Sequence, residues 1–127
     1  MVVTDKWIKY LLRNEIKIKQ RLELFLKTDE HGEYLNVSTS KSGRETENKL
    51  VKKLTDKNYI YKMHCLKCIE ILYDEMQHIE YEIMTMKFRR GYSSERVGFE
   101  VGYSRATVDN IVRGQKEKLK AMIENSI

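Results

Sequence analysis

The chain contains no proline at any of its 127 positions. Proline fixes φ and removes a backbone N–H, so its absence leaves long helices uninterrupted. Nor is there a run of about 18 apolar residues, the length a membrane-spanning helix requires, so no membrane partner is expected. The opening stretch MVVTDKWIKYLLRNEIKIKQ is broken by charge every few residues, unlike a secretion signal, and a cytosolic location is expected. Cysteine is scarce: Cys65 and Cys68 stand in HCLKC beside His64. Such a pair could begin a zinc or redox site, but there is no second pair, and His31 and His78 are not at ligand spacing. Three residues apart in a helical pattern, the two thiols read as small apolar packing groups, and neither metal nor cofactor is expected. Also missing are a glycine-rich phosphate loop, a Ser-His-Asp arrangement and a paired acidic motif. The carboxylates lie among lysines on amphipathic helices, where solvation and i,i+4 pairing account for them, so no enzymatic activity is expected.

What is present is charge. Asp, Glu, Lys and Arg make up 34% of the residues, above the usual quarter, which points to helices with long solvated faces. The net charge of +5 is uneven. Residues 1–28 carry seven Lys/Arg against three Asp/Glu, residues 29–77 eight against nine, and residues 78–127 nine against seven. Between Ser104 and Lys120 five basic residues face two acidic ones. Basic charge gathered on one helix is the footprint of a phosphate-binding surface; an ordinary solvated face is the alternative.

Periodicity predicts an all-α chain. Thr4-Asp5 offers an N-cap, and Trp7, Ile8, Leu11, Leu12, Ile18, Leu22, Phe25 and Leu26 return every three or four residues up to about Lys27. The period is lost over 28–43, which reads as a loop with a short extended piece at Tyr34–Val37. Helix resumes near Arg44 with Leu50, Val51 and Leu54 on one face, and Thr55-Asp56 marks a break or a fresh N-cap. From about Lys57 to Gln77 a stripe of Ile60, Met63, Leu66, Ile69, Leu72, Tyr73 and Met76 follows. Two long amphipathic helices must bury these stripes, either against each other as an antiparallel, coiled-coil-like pair or against a second subunit. That assigns 1–77 to a helical interaction part, with a homodimer or higher oligomer expected, and 78–127 to a separate module. In the module, HIEYEIMTMKFRRG predicts a helix ended by Gly91, with Ile79, Ile83, Met84 and Met86 inward. Ser93-Ser94-Glu95 then caps a short helix to about Val101, and Ser104 caps a last helix to about Glu124.

The stretch from Val97 to Arg113 meets the demands of a helix-turn-helix. Val97 and Val101 are four apart, Gly98 is small where the elements touch, Gly102 ends the first helix at positive φ, Tyr103 plugs the turn and Ser104 caps the second helix. Val108, Ile111 and Val112 then face the core. On the opposite side Arg105, Ala106, Thr107, Asp109, Asn110 and Arg113 meet base edges in the major groove: arginine to guanine, asparagine to adenine, and small or methyl groups to thymine. Asp109 fits only if it accepts from a cytosine amine, since phosphate repels it. Ser93, Ser94, Arg96, Ser104, Lys116 and Lys118 are the phosphate-contacting candidates.

The segment YEIMTMKFRRGYSSERVGFEVGYSRATVDNIVRGQKEKL resembles the C-terminal helix-turn-helix of sigma factors, region 4. Met86 to Ser93 matches its apolar-basic-aromatic run before the first helix. Val97 to Ser104 matches the first helix and turn, with Gly98 where alanine is usual and Phe99 where a polar residue is usual. The whole arrangement resembles the ArpU/RinA-like regulators of Gram-positive phages and prophages, specifically over about 78–120 and only in architecture over 1–77. The resemblance implies a sequence-specific DNA-binding activator of late phage genes, acting on double-stranded DNA beside host RNA polymerase in the bacterial cytoplasm. The alternative is a phage small terminase subunit, which marks DNA for packaging.

Overall fold

The computed structural model describes residues 3–27 and 51–125. The expected loop at 28–43, its extended piece and the helix onset near Arg44 lie outside the described residues. All regular structure among the described residues is helical, and no helix there is long and apolar enough to cross a membrane.

Helix α1 spans Asp5–Lys27. Thr4 starts it: the Trp7 N–H donates to Thr4 Oγ1 at 3.1 Å and the Ile8 N–H to the Thr4 carbonyl. Asn14 interrupts the helical backbone at φ −121°, ψ 17°. Its amide donates to the Tyr10 carbonyl at 2.9 Å, the competition with the main chain that makes asparagine a poor helix former. Ile8, Leu11 and Leu12 are buried before this kink, Ile18 and Leu22 after it. The expected stripe fades at its end, where Phe25 is exposed and Leu26 only half-buried.

Residues 51–54 are helical, and Asp56 caps α2, Lys57–Glu75, by accepting the Tyr59 N–H at 3.0 Å. Of the expected α2 stripe, Ile69, Leu72 and Tyr73 are buried and Leu66 and Met76 half-buried, and Cys65 and Cys68 are buried as the packing groups expected of them; Ile60 and Met63 are exposed instead. Burial pushes the Cys68 thiol up, as an apolar packing site does.

Helix α3, His78–Met84, opens with Glu80 Oε1 accepting the Gln77 N–H at 3.1 Å. It does not continue as one α-helix to Gly91. Residues Thr85–Arg89 form a π-helical turn, with the Arg90 N–H reaching the Thr85 carbonyl at 3.1 Å. The extra residue in that turn carries Phe88 into the core beside Ile83 and Met84, while Ile79 and Met86 are only half-buried. Helices α4, Ser94–Val101, and α5, Arg105–Asn125, follow. Val97, Val108, Val112, Leu119 and Ile123 form their buried side.

The chain divides into two compact units, Met1–Glu15 with Cys65–Ile127, and Ile16–His64. In the first unit the start of α1 is tied to the C-terminal helices: the Val3 N–H donates to Glu124 Oε1, Asp5 pairs with Lys116, and Glu15 pairs with Arg89. In the second, Phe25 stacks on Tyr59 at 5.9 Å, with the Lys53 ammonium 5.0 Å from the Phe25 ring.

Candidate nucleic-acid interface

Helices α4 and α5 are joined by Gly102, Tyr103 and Ser104. Ser93 Oγ accepts the Arg96 N–H at 3.2 Å and starts α4. Gly102, at φ +77°, ends it in the left-handed region. The N–H groups of Gly102 and Tyr103 both reach the Gly98 carbonyl. A Cβ on Gly98 would lie 2.5 Å from the Tyr103 carbonyl oxygen, so any side chain there would force the backbone of the turn to shift. The Tyr103 ring does not plug the turn, being exposed; its backbone against Gly98 closes the corner. Ser104 caps α5 by accepting the Thr107 N–H at 3.1 Å, and its hydroxyl shares a 2.9 Å hydrogen bond with Thr107 Oγ1.

This corner fixes which side of α5 faces outward. Val108 and Val112 are buried and Ile111 is half-buried, while Arg105, Ala106, Thr107, Asn110 and Arg113 are exposed. Asp109 sits differently from its expected place at a base edge. Its Oδ1 accepts from the Ser94 hydroxyl at 2.5 Å, and Ser94 is buried at 8% exposure. The two side chains therefore tie α4 to α5. Arg105 is flanked by carboxylates: Nη1 lies 3.1 Å from Glu95 Oε1, and Nε 3.8 Å from Asp109 Oδ2.

The expected phosphate contacts separate likewise. Arg96 lies over the Tyr92 ring at 3.7 Å and is exposed, as are Ser93 and Lys118. Ser104 is exposed with its hydroxyl engaged in the cap. Lys116 is turned away. Its ammonium lies 3.1 Å from Asp5 Oδ1 and its side chain is largely covered. The hydrogen bond from Lys116 holds the Asp5 carboxyl below the usual range.

Two features escaped sequence reasoning. Arg89, one residue of the MKFRR run, lies 2.9 Å from Glu15 and 4.2 Å above the Tyr73 ring, with Tyr81 edge-on to Tyr73. Burial works against the charge of Arg89, but the Glu15 hydrogen bond and charge outweigh it and raise its pKa; burial pushes Tyr73 up to about 12. Gln115 is buried on α5 and donates to Glu80 Oε2 at 2.8 Å, joining α5 to the start of α3. Neither pairing has a local signal, since the partners lie 74 and 35 residues apart.

No curated protein and no solved structure matches the chain. A family model described as "Protein of unknown function (DUF722)" matches residues 4–121, from the cap of α1 to the last turns of α5. That span takes in most of the chain, including the whole α4–α5 corner, and the chain belongs to the DUF722 family.

Proposed function

We propose that this chain is a sequence-specific DNA-binding transcription regulator in which α4, the Gly102–Ser104 turn and α5 act as a helix-turn-helix. It would act as an activator of phage or prophage late genes beside host RNA polymerase. The observation that carries the reading is the two-sidedness of the first turns of α5. Val108 and Val112 are buried, and the other side offers Arg105, Ala106, Thr107, Asn110 and Arg113 to solvent immediately after a tight turn. Exposed polar side chains at the start of a helix that projects from such a corner are placed to enter a major groove. Arg105 suits guanine O6 and N7, Asn110 suits adenine, and Ala106 and the Thr107 methyl suit thymine. Ser93, Arg96 and Lys118 supply phosphate contacts, which fix register without reading sequence.

The test is duplex binding by the intact chain. A duplex selected from a random library should bind with an affinity that falls steeply as salt rises, because phosphate contacts release counterions. Arg105→Ala and Asn110→Ala should each cost about 1–3 kcal/mol on that duplex and relax base choice at one position. Lys118→Ala should weaken all duplexes alike and flatten the salt slope by about 1. A protein that retains no duplex at low salt is not a DNA reader. A reporter driven by a promoter carrying the selected site then distinguishes activation from DNA marking alone.

A further inference from the structure

The carboxylates around Arg105 have no place in a surface built only to attract DNA. Glu95 and Ser94 are neighbours at the start of α4, while Arg105 and Asp109 are one turn apart at the start of α5. The four side chains form a chain across the corner: Ser94 Oγ donates to Asp109, Asp109 lies beside Arg105 Nε, and Arg105 Nη1 meets Glu95. Ser94 is buried, so the Asp109 end is anchored; Glu95 and Arg105 are both well exposed. A guanidinium has five N–H groups. One on Nη1 goes to Glu95, and the Nε group faces Asp109. The remaining N–H groups are left for acceptors such as guanine O6 and N7.

We infer that Glu95 sets the sequence specificity of this surface by holding Arg105 in a base-reading orientation and by opposing its capture by phosphate. The inference rests on the proposed DNA-binding function. A mobile arginine at a groove mouth pairs with any phosphate, and phosphates are present on every duplex. Glu95 and Asp109 change that balance in two ways. They restrict where the guanidinium points, and their charge repels the backbone, so an arginine shift toward phosphate separates it from two carboxylates. Docking on guanine uses the N–H groups that Glu95 leaves available and keeps the ion pair. Glu95 is therefore a positioning residue that acts through Arg105.

The experiment compares two duplexes of equal length by fluorescence anisotropy with the full chain: one selected from a random library by the wild type, and one of random sequence. Glu95→Gln keeps the shape of the side chain and removes its charge. The random duplex should then bind several-fold tighter, with a salt slope steeper by about 0.9, the signature of one added phosphate contact. The preference for the selected duplex should fall about tenfold. In an Arg105→Ala background, Glu95→Gln should leave that preference unchanged, an outcome that a purely structural role for Glu95 would not produce. A preference within twofold of wild type, or the same loss without Arg105, overturns the inference while leaving DNA binding intact. Failure of the wild type to bind either duplex overturns the underlying function instead.

Discussion

At the scale of single residues, the corner depends most on Gly98. A methyl group there meets the carbonyl of Tyr103, and a backbone atom cannot swing aside as a side-chain tip does. Gly98→Ala should destabilise the fold by about 1–3 kcal/mol, the usual cost of overpacking. Gly114 is its control, because nothing lies within 4 Å of a Cβ added there and it stands inside α5. Gly114→Ala should stabilise by about 0.5–1 kcal/mol through helix propensity. Thermal melts of the two variants that move in the same direction would contradict this assignment. Tyr73 offers a second test. Its ring is buried against Tyr81 and Arg89, and burial pushes its phenol to about 12. In an ultraviolet titration it should ionise well above the ordinary tyrosine value of 10.0. Because the unfolded phenol ionises near 10, this group's contribution to stability is complete below that pH and is lost as the pH rises toward 12.

At the scale of elements, the helices are joined by polar pairs whose strength follows from their exposure. Glu80 serves both the Gln77 N–H and the buried Gln115 amide. Glu80→Ala leaves that amide without its partner and should cost about 1–3 kcal/mol, measured by denaturant unfolding. The Asp5–Lys116 pair is exposed on its Asp5 side and should contribute only about 0.5 kcal/mol. Asp5 titrates below its ordinary 3.8, so this contribution is present above that value and is lost as the pH falls through the lowered one. Lys116→Ala should match wild type in strong acid and fall slightly below it at neutral pH.

These pairs also mark where the sequence stopped being readable. Helix starts at Thr4, Asp56, Ser93 and Ser104, and the stop at Gly102, were legible because a cap is made between residues within three or four positions. The outward and inward sides of α5 were legible for the same reason, since spacing alone sets them. The exposure of Ile60 and Met63, the π-helical turn and the ties of Lys116 and Asp109 were not. Each depends on what a side chain meets across the fold, and nothing in the local pattern records that partner. Lys116 and Arg113 look alike in sequence, yet one is committed to Asp5 and the other is exposed.

At the scale of the whole molecule, several large apolar residues among the described residues of the unit Ile16–His64 are exposed. Ile16, Leu24, Val51, Leu54, Ile60 and Met63 are all at least 42% exposed. With DNA reading as proposed, a second copy would supply the second half-site that one short recognition helix requires for tight binding. Light scattering should report a dimer, and Leu24→Glu or Ile60→Glu should shift it toward monomer and weaken duplex binding. A strict monomer, with and without DNA, would remove this assembly from the account.

The hydrogen bond from Val3 to Glu124 has a consequence for how the chain is made. It joins residues 121 positions apart, so the unit that carries the corner draws on the start of α1 as well as on α5. The core of that unit can close only once the final turns of α5 have been made, because its contacts are so far apart in sequence. Loss of the last turns of α5 would then loosen the start of α1 as well.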